Sequence, residues 1–70
     1  MEKHVRFIRV ISDDGYKMGQ VKFDGFRTKM QYTALGYDGS RLGEFSTEYF
    51  ATNAVLNQDV PPEKLVKNYY

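Results

Sequence analysis

The side chains able to do covalent or acid-base chemistry are few in this chain and poorly spaced for it. Cysteine is absent and His4 is the only histidine, so a Cys-His nucleophile is excluded and any Ser-His-Asp arrangement would have to run through His4. His4 stands in a strand-like run beside Lys3 and Val5, where packing or solvation is the expected role. One imidazole without thiolates also falls short of a structural zinc site. Adjacent carboxylates occur at Asp13-Asp14, just ahead of Gly15, which is turn chemistry rather than the separated acid pair of a glycosidase. The fragments DGYKMG and DGSRLGEF lack the spacing of a phosphate loop, and in the second the final glycine is followed by Glu-Phe instead of the required Lys and Ser/Thr. No catalytic residue, no metal ligand and no cofactor are therefore expected. Function is expected to lie in a surface.

The charge pattern says which surface. Residues 1–30 carry seven bases (Lys3, Arg6, Arg9, Lys17, Lys22, Arg27, Lys29) against four acids (Glu2, Asp13, Asp14, Asp24), a net of about +3. Residues 31–70 carry three bases (Arg41, Lys64, Lys67) against five acids (Asp38, Glu44, Glu48, Asp59, Glu63), a net of about −2. The formal total of +1 thus conceals a basic N-terminal part. A basic face attracts either an acidic protein surface or nucleic-acid phosphates. Val5, Phe7, Ile8 and Val10 lie beside Arg6 and Arg9, a combination suited to strand addition or an arginine-anchored interface.

The elements that must carry these residues are read from turn chemistry. Asp-Gly pairs at Asp14-Gly15, Asp24-Gly25 and Asp38-Gly39 favour the positive φ angles of tight hairpin turns. Between them lie runs rich in β-branched and aromatic residues, Lys3 to Ser12, Tyr16 to Phe23 and Phe26 to Leu35, which predict an antiparallel meander. In the third run Phe26, Met30, Tyr32 and Ala34 share one face, while Arg27, Lys29, Gln31 and Thr33 share the other. The second run changes phase across Gly19, the mark of a bulge; the first changes phase near Ile8, so it is either bulged there or covered on both faces, and a bulge is the favoured expectation. Phe23 and Phe26 flank a turn and read as a cross-strand pair. Leu42 to Phe45 suits a short fourth strand. Thr47 to Gln58 has a helix start signal but is poor in helix formers. In VPPEKLVKNYY, Pro62 suits a first helical turn, and Leu65, Val66 and Tyr69 form a stripe that would dock on the sheet.

The 70 residues allow a single domain, residues 1–70, of class α+β: a small antiparallel three- to four-stranded meander with a short C-terminal helix. With neither a disulfide nor a metal to staple it, the stability expected is modest, or is completed by a partner or by self-association. Nothing in the sequence sets the oligomeric state. No run approaches the roughly 20 apolar residues of a membrane span, and Arg6 and Arg9 interrupt any leader-like core, so a cytoplasmic protein is expected.

Two resemblances bear on function. Gly19-Gln20-Val21-Lys22-Phe23 followed by Gly25-Phe26 is similar to the opening of cold-shock domains, whose aromatics stack on bases. The spacing between the two halves is shorter, however, Arg27 and Thr28 displace the next aromatic, and the chain ends in a helix-like segment where that barrel needs strands. A nucleic-acid role therefore rests on charge alone. The opening MEKHVRFIRVISDDGYKMGQVKF resembles the small regulators with which lytic bacteriophages, such as those of Xanthomonas, bind host RNA polymerase. That resemblance implies a host-cytoplasmic protein that binds the polymerase and alters initiation or termination. The expected partner-binding residues are Lys3, Arg6, Phe7, Arg9, Lys22, Arg27 and Lys29, with a small nucleic-acid-binding module on the same basic face as the alternative.

Overall fold

A computed structural model describes residues 3–67. Four antiparallel strands, β1 (Val5–Ile11), β2 (Lys17–Asp24), β3 (Tyr32–Leu35) and β4 (Arg41–Phe45), lie in the sheet in chain order. The helix α1 (Glu48–Leu56) follows, and a single 3-10 turn over Pro62–Lys64 closes the described chain. The class is α+β, an antiparallel meander followed by helix.

Two of the three Asp-Gly pairs make tight turns of one kind. Gly15 N–H bonds the Ser12 carbonyl and Ser12 N–H the Tyr16 carbonyl; Gly39 N–H bonds the Gly36 carbonyl and Gly36 N–H the Ser40 carbonyl. In each turn the glycine takes a φ near +86°, at +87° for Gly15 and +85° for Gly39, as expected of a three-residue hairpin loop closed by a left-handed residue. The third pair behaves differently. Asp24 still belongs to β2, its Oδ1 accepts from Phe26 N–H, and the chain then runs through a longer loop, residues 25–31, before β3.

That loop corrects the expected third strand. Met30 has φ +49°, a left-handed conformation that no strand tolerates, and Gln31 folds its side-chain amide back onto the Arg27 carbonyl at 2.7 Å. Only Tyr32 to Leu35 therefore pairs. Tyr32 and Ala34 do face inward, but Phe26 and Met30 are exposed in the loop, and the inward cross-strand partner of Phe23 is Tyr32 rather than Phe26, their rings 5.1 Å apart.

The expected bulge at Gly19 is present: Val10 pairs with Gly19 and Ile11 with Lys17, leaving Met18 as the extra residue. A matching one occurs in β4, where Ala34 pairs with Gly43 and Leu35 with Arg41, leaving Leu42 over. A Cβ on Gly19 would stand 2.2 Å from the Leu35 carbonyl oxygen, so the strands approach this closely only around glycine. There is no bulge at Ile8. β1 pairs regularly through Ile8, with Ile8 and Val10 turned to the core and Val5 and Phe7 exposed on the opposite face. The apparent phase change in the sequence reflects apolar residues on both faces of a strand that the described residues cover on only one.

The core lies between that one face and α1. Val10, Met18, Val21, Ala34, Ala51 and Val55 are buried together, and Val21 and Val55 are fully inaccessible; burial of each valine side chain stabilises by about 1.5–3 kcal/mol. α1 forms although its residues are mediocre helix formers, because Ala51 and Val55 fall on one side a helical turn apart and Thr47 caps its start, accepting from Phe50 N–H at 3.3 Å. Gln58 secures its end. Its amide donates to the carbonyls of Met18 at 2.5 Å and Val55 at 2.7 Å, and its oxygen accepts from Tyr37 N–H at 3.1 Å, joining helix, bulge and turn.

The helical stripe expected near the C-terminus is replaced by the short 3-10 turn and an extended tail. Lys17 N–H bonds the Val66 carbonyl at 2.8 Å and Lys67 bridges to Tyr16, so the tail adds to the sheet instead of coiling. Pro61 and Pro62 supply no N–H, and no side chain caps the turn. Leu65 packs against the core, Val66 is exposed, and Tyr69 lies outside the described residues.

Candidate functional site

Because α1 and the core occupy one side of the sheet, the other side is left open by the described residues, and strand register determines which side chains reach it. Phe7, Lys22, Thr33 and Glu44 form one row across the four strands, and Arg9, Gln20, Leu35 and Arg41 form the next. Ile11 and Lys17 extend the surface toward the first hairpin turn. Arg9, Ile11, Lys17, Gln20, Leu35 and Tyr37 line a groove of about 280 Å³ there.

Cations predominate on this face, and its acids are engaged locally. Arg27, reaching from the β2–β3 loop, holds Glu44 with Nη1 at 2.8 Å from Oε2, and Arg41 lies 3.4 Å from the same oxygen. The hydrogen bond and charge of Arg27 hold the Glu44 carboxyl below its ordinary range, and Arg27 is raised in turn by Glu44. Asp38 is also lowered, chiefly by its hydrogen bonds with Ser40 at the second hairpin turn. Asp24 Oδ1 is used by Phe26 N–H. Exposed apolar groups sit among the charges: Phe7 is 58% exposed, well beyond what a core ring allows.

The expected binding residues divide accordingly. Phe7, Arg9 and Lys22 gather on the open face. Arg6 belongs to the opposite face, where its guanidinium lies 5.1 Å from the centroid of the buried Phe23 ring, a cation-π contact. Arg27 and Lys29 do not project from a third strand as expected, because the loop takes their place in the chain; only Arg27 returns to the face, through Glu44. Lys3 precedes β1. Lys17, Arg41, Leu35 and Tyr37 join the surface without having been singled out in the sequence. Lys17 and Arg41 become legible once each strand is read backward from its glycine with the extra residue counted out.

His4 packs edge-on against Phe23, centroids 5.9 Å apart. Asp13 and Asp14 sit in the first hairpin turn, where the Asp14 carbonyl accepts from Lys67 Nζ at 2.6 Å. Among the described residues no three His, Asp or Glu side chains come together as a metal would require, and no helix is long and apolar enough to cross a membrane. No family model, curated protein or solved structure matches the chain.

Proposed function

We propose that this chain is a non-catalytic binding protein that docks onto a larger macromolecular machine through the open face of its sheet and changes that machine's activity. Host RNA polymerase is the partner suggested by the likeness of residues 1–23 to small phage regulators, with initiation or termination of transcription as the step affected and the host cytoplasm as the site of action. One observation carries the reading: Arg9, Lys17, Lys22 and Arg41 share a face with exposed Phe7 and no covering layer among the described residues. Clustered cations beside an exposed aromatic ring suit a docking surface for an acidic protein. Titration of the labelled chain with purified Xanthomonas RNA polymerase, followed by anisotropy, tests it. Saturable binding that Lys22→Glu with Arg41→Glu removes is the expected result; no binding by the unaltered chain refutes the polymerase assignment.

The same cations with Phe7 and Tyr37 also favour a second reading, binding to nucleic acid. It requires a steep salt dependence, with a logarithmic slope of about −0.9 for each duplex phosphate neutralised. A mobility shift absent at low salt eliminates it.

A further inference from the structure

The open face ends at β1, and this edge has the backbone geometry to accept another strand. Gly25 N–H donates to the His4 carbonyl at 2.8 Å, which sets the phase of the β1–β2 ladder: Arg6, Ile8 and Val10 exchange hydrogen bonds with β2, and Val5 and Phe7 point their N–H and C=O groups away from the sheet. The side chains of Val5 and Phe7 lie on the open face, both exposed. The extra residue at the irregularity belongs to β2, so β1 itself runs regularly over Val5–Val10 and contains no proline. The opposite edge, β4, is shorter and interrupted by Leu42, the kind of edge that resists pairing.

Charge indicates what the edge accepts. β1 displays Arg9 on the open face and Arg6 on the helix face, with Lys22 beside Phe7. A second copy of the same strand would bring like charges together, whereas an acidic strand would meet cations on both faces. We propose that β1 takes up an extended, acidic segment of the partner protein as a fifth strand, hydrogen-bonded to Val5 and Phe7, with carboxylates near Arg9 and Arg6. The proposal rests on the reading of the open face as the docking surface and deepens it by naming the partner's conformation and charge.

The test uses the full chain, isotope-labelled, and a short end-blocked peptide of alternating Glu and Val. Adding the peptide is expected to slow amide exchange at Val5 and Phe7 and to leave Arg6 and Ile8, already bonded to β2, unchanged. The same peptide N-methylated at alternate residues retains its charge but cannot complete a ladder, and is expected to give no such protection. Phe7→Pro removes one outward N–H and is expected to weaken binding about fivefold, with the fold kept as edge strands allow; if that variant does not fold, the N-methylated peptide still decides. Absence of peptide binding, equal protection from both peptides, or the same protection from oligothymidylate overturns strand addition. The polymerase titration separates the two ideas. If Lys22→Glu with Arg41→Glu abolishes polymerase binding while the peptide fails, strand addition alone falls; if charge reversal leaves polymerase binding intact, the docking face itself is wrong.

Discussion

At the scale of single residues, two backbone positions and one carboxylate matter most. Gly19→Ala would drive a Cβ to 2.2 Å from a backbone carbonyl that has no room to retreat. The expected loss is about 3 kcal/mol, comparable to the roughly 3–5 kcal/mol a core of this size supplies, so urea denaturation of the variant should find it largely unfolded. Met30 is the converse case. Its φ of +49° costs a side chain about 1–2 kcal/mol, so Met30→Gly should raise the urea midpoint or leave it unchanged, and a clear drop would mean that the loop is held by the methionine side chain. Glu44 sets an acid limit. Its carboxyl is held low chiefly by Arg27, so in the acid range the unfolded chain binds more protons than the folded one. The resulting stabilisation is complete above the ordinary carboxylate range near pH ~4 and fades as pH falls through the lowered value. Denaturant midpoints measured across that range should fall toward low pH, and Glu44→Gln should flatten the decline. Gly19 was legible in the sequence because a glycine broke an alternation. Met30 was not, since its alternation with Tyr32 and Ala34 is intact and its left-handed turn arises from the loop's hydrogen bonds.

At the scale of elements, the meander and its bulge were readable because turn glycines and strand periodicity agree, while the two helical segments exchanged prominence. VPPEKLVKNYY has the better local signals, yet the tail makes a lone 3-10 turn and then pairs with the start of β2. The stretch from Thr47 to Gln58 has the poorer propensity, yet it forms α1 because Ala51 and Val55 complete the core. Burial outweighs propensity in a helix of this length. α1 should therefore depend on its cap and its contacts. Thr47→Ala removes the bond to Phe50 N–H and should cost about 1 kcal/mol. Val55→Ala empties a fully buried site and should cost about 2 kcal/mol. Thermal denaturation that ranks the cap above the core contact would contradict this order.

At the scale of the whole molecule, the two faces of one sheet differ: the inner face forms a small core with α1, and the outer face, with no covering layer among the described residues, is the docking surface we propose. The sequence disclosed that the N-terminal part is basic, and the fold decides which bases act together. Arg9 and Lys22 meet Lys17 and Arg41 on the outer face because the extra residue beside Gly19 brings Lys17 into phase and the one beside Gly43 brings Arg41 into phase, while Arg6, three residues from Arg9 on the regular β1, turns to the other side. The central claim is that this outer face is the docking surface. Its most direct test is the affinity of the full chain for purified Xanthomonas RNA polymerase, measured by anisotropy for the unaltered protein, for Lys22→Glu with Arg41→Glu, and for a control reversal at Lys64, exposed in the 3-10 turn. Binding should be saturable, fall about tenfold or more, equivalent to at least ~1.4 kcal/mol, on reversal of the face, and be unchanged by the control. Equal affinity for all three proteins, or no binding by the unaltered chain, would contradict that claim.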